Sequence, residues 1–297
     1  MTTPNLNVAL VQRACDADPE ENLRACIEGI RQAASQGAKL VVLEELHNTP
    51  YFCQREDPAL FDLAEPVPGP TTRRLGEVAQ ESHVAIVASL FERRAAGLYH
   101  NTAVVLERDG TLAGRYRKMH IPDDPGYYEK FYFTPGDLGF RPVSTSVGRL
   151  GLLVCWDQWF PEAARLMALA GAEILVYPTA IGWNPADDGA ERTRQFDAWR
   201  TVQRGHAIAN GLPLIACNRQ GEENATTGEG RIDFWGGSFI CGPQGEILAE
   251  APHDDDTLLM ASLDLGRNED VRRIWPFFRD RRVDAYDGLL NLHLEKE

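Results

Sequence analysis

Three side chains of complementary chemistry stand in similar surroundings. Glu45 ends Val41-Val42-Leu43-Glu44-Glu45, Lys118 lies in Arg115-Tyr116-Arg117-Lys118-Met119-His120, and Cys155 ends Gly151-Leu152-Leu153-Val154-Cys155 before Trp156-Asp157. Each sits where a strand should end, and strand ends are where crevices form in α/β sheets. A thiol, a carboxylate and an ammonium are the parts needed for covalent attack on a carbonyl carbon. The thiolate is the nucleophile, yet a free cysteine, with pKa about 8.5, is only a few per cent ionised at neutral pH. A carboxylate at Glu45 can take the thiol proton. An ammonium at Lys118 can stabilise both thiolate and oxyanion, with the backbone N–H of Trp156 as a natural second oxyanion donor. Singly, each residue also has an ordinary reading: a small core cysteine, a solvated or capping glutamate, a surface lysine.

The elements that must position these groups follow from pattern. Asn7–Val11 reads as a strand, and Pro19–Gln36 as a helix with apolar residues at Leu23, Cys26, Ile27 and Ile30. Asp18-Pro19 supplies its cap and first turn, and Gly37 its stop. Lys39–Leu43 is a short apolar run of the kind buried on both faces. A helix starts near Pro70, and strands follow at Val84–Ser89, Thr102–Glu107 and Leu112–Lys118. Leu150–Cys155 reads as a strand, Pro161–Ala170 as a helix, Glu173–Pro178 as a strand, Arg192–Asn210 as a helix and Leu212–Cys217 as a strand. Phe234–Leu248 reads as a hairpin turning at Gly242-Pro243-Gln244-Gly245, and Leu258–Leu263 as the last strand. The passage from the first helix through Gly37-Ala38-Lys39-Leu40-Val41-Val42 is echoed at Gly171-Ala172-Glu173-Ile174-Leu175-Val176, a short hint of two similar α/β halves. No low-complexity linker divides the chain. Residues 1–297 therefore read as one α/β domain with mixed sheets, whose charged and aromatic tail from about residue 268 packs on the body or on a neighbouring subunit.

Composition narrows the chemistry. The 297 residues carry a net charge of −14, which argues against nucleic acid as a partner. Cys15, Cys26, Cys53, Cys155, Cys217 and Cys241 are scattered without a C-x-x-C pair, so a reducing, cytoplasmic setting is expected. No zinc-type histidine motif and no phosphate-binding glycine loop occur. Gly236-Gly237-Ser238-Phe239-Ile240 lacks the last glycine of a serine-nucleophile elbow. No leader segment and no membrane-length apolar run are visible.

Glu45 after Val-Val-Leu-Glu, Lys118 in Arg-Lys-Met-His, and Cys155 in Cys155-Trp156-Asp157-Gln158-Trp159-Phe160-Pro161-Glu162 together resemble the Glu–Lys–Cys pattern of the nitrilase superfamily of carbon–nitrogen hydrolases. The resemblance runs from Val8 to about Arg279. It implies an αββα sandwich, a homo-oligomer, and neither metal nor organic cofactor, with Glu45 as general base, Lys118 as oxyanion stabiliser and Cys155 as nucleophile. The superfamily's second glutamate falls at Glu129 in Tyr128-Glu129-Lys130-Phe131-Tyr132-Phe133, positioning Lys118 or a substrate amine; a partner for a surface arginine is the alternative.

Further runs, at Tyr51–Gln54, Glu129–Asp137, Cys155–Glu162 and Tyr177–Gly182, are similar to one branch, the N-carbamoylputrescine amidohydrolases. The implied reaction releases putrescine, carbon dioxide and ammonia through a carbamoyl-cysteine, in polyamine biosynthesis from agmatine. A β-ureidopropionase-like or ω-amidase-like enzyme, or a non-catalytic binding protein on this fold, stands as the alternative. Relatives acting on N-carbamoyl amino acids carry arginines shortly after the nucleophile, suited to a carboxylate; here those places hold Gln158 and Trp159. True nitrilases usually continue Trp-Glu, where this chain has Trp156-Asp157. The expected small-molecule substrate therefore has a cationic tail, held in an apolar tube ending in acceptors or aromatic faces. Tyr51, Trp156 and Trp183 are candidates to line it, and Asp187 or Asp188 to meet the ammonium; core packing and a solvated loop are the alternatives. His120 either hydrogen-bonds the active-site glutamate or is satisfied elsewhere.

Overall fold

The computed structural model describes residues 5–224 and 230–294; residues 1–4, part of the segment read as lacking a leader, lie outside them. In chain order the elements are β1 (Leu6–Gln12), α1 (Pro19–Ser35), β2 (Leu40–Leu43), α2 (Pro70–Ser82), β3 (Ala85–Ala95), β4 (Leu98–Leu106), β5 (Leu112–Arg117) and α3 (Glu129–Tyr132). Then come β6 (Val143–Thr145), β7 (Gly148–Leu152), α4 (Pro161–Leu169), β8 (Ile174–Thr179), β9 (Gly182–Trp183), α5 (Gly189–Asn210) and β10 (Leu214–Asn218). The chain continues through β11 (Gln220–Asn224), β12 (Arg231–Trp235), β13 (Phe239–Cys241), β14 (Ile247–Glu250), β15 (Thr257–Leu263) and α6 (Gly266–Ile274).

Local signals set these boundaries. The Asp18 carboxylate accepts from the Glu20 N–H at 2.9 Å and Pro19 occupies the first turn, so α1 starts where the sequence says. It stops before Gly37, whose φ of 91° an L side chain rarely adopts. The buried stripe of α1 (Leu23, Cys26, Ile27, Ile30) lies on β1 and β2.

Two six-stranded sheets form, ordered β15-β1-β2-β3-β4-β5 and β14-β13-β10-β8-β7-β6. Alternate residues of the first sheet divide between two cores, as period-2 geometry demands. Val8, Leu10, Leu40, Val42 and Val87 face Leu150, Leu152, Val176 and Ile215 of the second sheet. Ala9, Val11, Val41, Leu43 and Ile86 face the inner stripes of α1 and α2. Met167 of α4 and Trp199 and Ala207 of α5 cover the second sheet, which completes an αββα sandwich. The two halves match beyond the short echo. β1-β2-β3 and β7-β8-β10 are each three parallel strands, extended by antiparallel β4 and β13. Gly37 and Gly171 share the same φ of 91°.

Three expectations need correction. Phe234–Leu248 is not one hairpin: β12 pairs with β11 and β9 in a separate three-stranded sheet, while β13 pairs with β14. Gly236 and Gly237, both left-handed, turn the chain between the two. Val84–Ser89 and Thr102–Glu107 belong to a longer hairpin that turns at left-handed Gly97. The strand expected to reach Cys155 ends at Leu152, and Cys155 opens a single 3-10 turn.

Beyond Ile274 the tail holds only two short 3-10 turns among the described residues, Val283–Ala285 and Asp287–Leu290, and is anchored by Phe278 against the core under the guanidinium groups of Arg165 and Arg272. No helix among the described residues is long and apolar enough to cross a membrane.

Candidate active site

The ends of β2, β5 and β7 converge on one buried cluster. Glu45 follows β2 by two residues and is wholly buried; its N–H donates to the Thr179 carbonyl of the second sheet at 3.3 Å. Lys118 directly follows β5, its N–H on the Asn101 carbonyl at 2.9 Å, which directs its side chain inward. Its Nζ donates to Glu45 Oε1 at 2.8 Å and to Glu129 Oε2 at 2.7 Å. Asn101 Nδ2 adds a bond to Glu45 Oε1 at 2.7 Å, and the Tyr51 hydroxyl donates to Glu129 Oε1 at 2.7 Å. Glu45 Oε2 has no hydrogen-bond partner among the described residues.

Cys155 stands at φ 40°, a left-handed conformation that a β-carbon disfavours. Asp157 holds this turn. Its Oδ2 accepts from the Val154 N–H and from the Tyr116 hydroxyl, each at 2.9 Å, and its Oδ1 accepts from the His120 N–H at 3.1 Å. The thiol lies 3.7 Å from the Ala180 carbonyl. Trp156 is the second residue of the 3-10 turn, where an amide has no acceptor within the turn.

The electrostatics follow from burial. Burial, and then Glu45, push the Cys155 thiol well above its ordinary range against the pull of Lys118, so the resting group is a neutral thiol. Burial raises Glu129 to about 7, with Lys118 opposing. Burial disfavours the charge on Lys118, but Glu129 and Glu45 outweigh it and hold the ammonium protonated. The arrangement is a lysine locked between two carboxylates, near enough to the Cys155 thiol for the charges of Glu45 and Lys118 to act on it, with Glu45 Oε2 left without a partner among the described residues.

Above the cluster opens a cavity of about 440 Å³ in whose lining stand Cys155, Glu129, Tyr127, Trp156, Trp159 and Asp187. Asp124 also lines it, and among the described residues neither lysine nor arginine does. Of the residues expected around the substrate, Trp156 and Asp187 therefore face this cavity. Four do not. Tyr51 lies beneath it on Glu129. His120 is satisfied by Asp157, with Nδ1 2.7 Å from Oδ1, and stacks on Phe160. Trp183 packs on Trp235 and donates to the Arg192 carbonyl at 3.0 Å. Asp188 caps α5, accepting from the Glu191 N–H at 2.8 Å. Gln158 also turns away: its Oε1 accepts from Trp199 Nε1 at 2.8 Å under α5, so of the two places compared with arginine only Trp159 lines the cavity. Among the described residues no group of three or more His, Cys, Asp and Glu is arranged to hold a metal ion.

Sequence reasoning missed Asn101, Tyr127 and the structural use of Asp157. Asn101 left a signal, a polar residue inside the largely apolar strand Leu98–Leu106, which once buried must find a partner. Tyr127 left none, because its place depends on the hydroxyl accepting from the Gly182 N–H at 3.0 Å.

Comparison with known proteins agrees with this geometry. The carbon–nitrogen hydrolase family matches residues 7–273. An N-carbamoylputrescine amidase of Solanum lycopersicum is 46% identical over 290 residues, covering 97% of this chain and 95% of that protein. A citrullinase of Francisella tularensis is 40% identical, covering 96% of this chain and 98% of its own. The crystal structure of a carbon–nitrogen hydrolase from Helicobacter pylori superposes with a TM-score of 0.95 at 53% identity, covering 98% of this chain and all, 100%, of that one. With its αββα sandwich and its buried lysine between two glutamates beside a cysteine, the chain belongs to the carbon–nitrogen hydrolase family.

Proposed function

We propose that this protein hydrolyses N-carbamoylputrescine to putrescine, carbon dioxide and ammonia. The similarity to a plant N-carbamoylputrescine amidase over nearly the whole of both chains carries the reading. The cavity supports it: its walls are largely apolar and aromatic, they include Asp124 and half-buried Asp187, and among the described residues no basic side chain lines it to pair with a carboxylate.

Cys155 attacks the ureido carbonyl as Glu45 Oε2 takes the thiol proton. Two of the three Lys118 N–H groups are bonded to Glu45 and Glu129, and the third, with the Trp156 N–H, meets the oxyanion. Glu45 passes its proton to the departing putrescine nitrogen, the C–N bond breaks, and a carbamoyl group remains on sulfur. Glu45 then takes a proton from water as the oxygen attacks that group. The thiol is restored and carbamic acid leaves, splitting into carbon dioxide and ammonia. Asp187 holds the distal ammonium, and Trp156 and Trp159 flank the tetramethylene chain.

The similarity to a citrullinase favours one further reading, since citrulline carries the same ureido group on a tail with both an ammonium and a carboxylate. A panel of N-carbamoylputrescine, citrulline, N-carbamoyl-β-alanine and α-ketoglutaramate separates them by kcat/KM. The carbamoylated diamine is expected to lead; preference for an anionic compound overturns the proposal. Cys155→Ser retaining normal turnover removes the nucleophile assignment.

A further inference from the structure

Outside the catalytic cluster, Arg219, just after β10, is a charge buried to full inaccessibility. Its contacts run toward both active-site glutamates by separate arms. On one side Nη2 donates to the backbone carbonyls of Glu45 at 2.9 Å and Leu46 at 3.0 Å. Leu46 stands at φ 50°, so the backbone carrying the base is bent into a turn that leucine disfavours. One nitrogen satisfies two successive carbonyls of that bend, which is also tied by the Thr49 N–H on the Leu46 carbonyl at 3.1 Å and by the Leu46 N–H on Ser89 Oγ at 3.3 Å. On the other side Nη1 donates to Glu223 Oε1 at 2.7 Å. Glu223 Oε2 accepts from the Tyr51 N–H at 2.6 Å, and the Tyr51 hydroxyl ends the path on Glu129.

We propose that the Arg219–Glu223 ion pair is a positioning device that sets the separation of Glu45 and Glu129, and so the place of Lys118 between them. This rests on the catalytic reading of those two glutamates. Neither Arg219 nor Glu223 lines the cavity or touches the reacting atoms, so they act through Glu45 and Tyr51. A guanidinium is needed because its planar fork reaches carbonyls and carboxylate together, which the point charge of a lysine does not.

The test compares Arg219→Lys and Glu223→Gln with wild type for kcat and KM on N-carbamoylputrescine, with circular dichroism to normalise each rate to folded protein. Glu223→Gln is close to isosteric but offers one acceptor oxygen where the carboxylate used two. Kcat is expected to fall about ten- to a hundredfold in both variants with KM changed by no more than about threefold, since the reacting groups are displaced while the cavity is intact. A part limited to stability lowers the melting temperature and leaves kcat per folded molecule within about twofold of wild type, and that result overturns the proposal. Should Arg219→Lys fail to fold, Glu223→Gln alone decides. Glu45→Gln and Glu129→Gln are measured alongside. If both abolish turnover while Glu223→Gln keeps it, only the positioning role falls; if they keep turnover, the catalytic reading falls and takes this one with it.

Discussion

Replacing Tyr51 by phenylalanine removes one hydroxyl from the site and leaves the ring packed on Phe234 and Tyr127. The hydroxyl donates to Glu129 Oε1 at 2.7 Å, and both side chains are buried. A hydrogen bond to a charged acceptor contributes about 1.5–3 kcal/mol, and a pKa unit is about 1.4 kcal/mol, so its loss raises the carboxyl by about one to two units. The sign is fixed by which form the bond favours: the donor stabilises the anion, so without it the proton is held more tightly. Glu129, already raised to about 7 by burial, then titrates at about 8–9. The ionised form, needed to hold Lys118, is present above that pKa and lost as pH falls through it. The acid limb of kcat/KM therefore moves up by about one to two pH units, a limb that belongs to the coupled Glu45–Lys118–Glu129 cluster. At pH 7 the variant is about five- to fiftyfold slower than wild type, and at pH 9 it recovers to within about twofold. Ammonia release followed from pH 6 to 9.5 reads this directly. A loss of equal size at every pH, or an unmoved limb, refutes the link between the tyrosine and the glutamate.

Asp187→Asn tests the ammonium site: kcat/KM for N-carbamoylputrescine is expected to fall about ten- to a hundredfold, the loss of a charge-assisted bond. Butylurea, the same chain without the amine, should be unaffected, and equal loss on both substrates removes the assignment. Glu44, buried beside Arg219 and raised from 4.5 to about 7, binds its proton more tightly folded than unfolded. Its contribution to stability therefore falls as pH rises from about 4.5 to 7, by up to about 3 kcal/mol, and Glu44→Gln should flatten that part of the melting-temperature profile. Gly151→Ala places a methyl 3.0 Å from Ala172 Cβ and 3.2 Å from Met167 Cβ under α4. Overpacking of this kind costs about 1–3 kcal/mol, seen as a lowered melting temperature with unchanged activity per folded molecule.

Much of the scaffold was legible because its signals are local. Asp18-Pro19 and Gly37 bracket α1 without reference to anything distant. The four apolar residues of β2 announce a strand covered on both faces. Glu45, Lys118 and Cys155 were visible as reactive groups at strand ends, and their motif contexts tied them together. What failed was side-chain direction in irregular segments. Gln158 and Trp159 are neighbours in one 3-10 turn, and nothing in their types says that one turns beneath α5 while the other lines the cavity. Asp187 and Asp188 look interchangeable on the chain until Asp188 is taken by the N-terminus of α5. Trp183 was open to both a cavity wall and core packing, because the surface that claims it, Trp235, lies 52 residues along the chain.

The repeated halves explain why the cluster lies where it does. β2 and β8 occupy equivalent places in the two sheets, and their ends meet: the Glu45 N–H bonds the Thr179 carbonyl at the end of β8. The cysteine comes from the second sheet, after β7, and the lysine from the edge of the first, after β5. A site shared between the sheets forms only when the sandwich closes, which also buries it and supplies the desolvation that keeps the thiol protonated at rest. Two non-glycine residues, Leu46 and Cys155, take left-handed conformations next to the reacting groups, each costing about 1–2 kcal/mol. Each bend is held by a buried charged side chain, Arg219 on the Glu45 side and Asp157 on the Cys155 side. The strain sits next to the reacting groups, where fully buried polar bonds hold the backbone inside the apolar core.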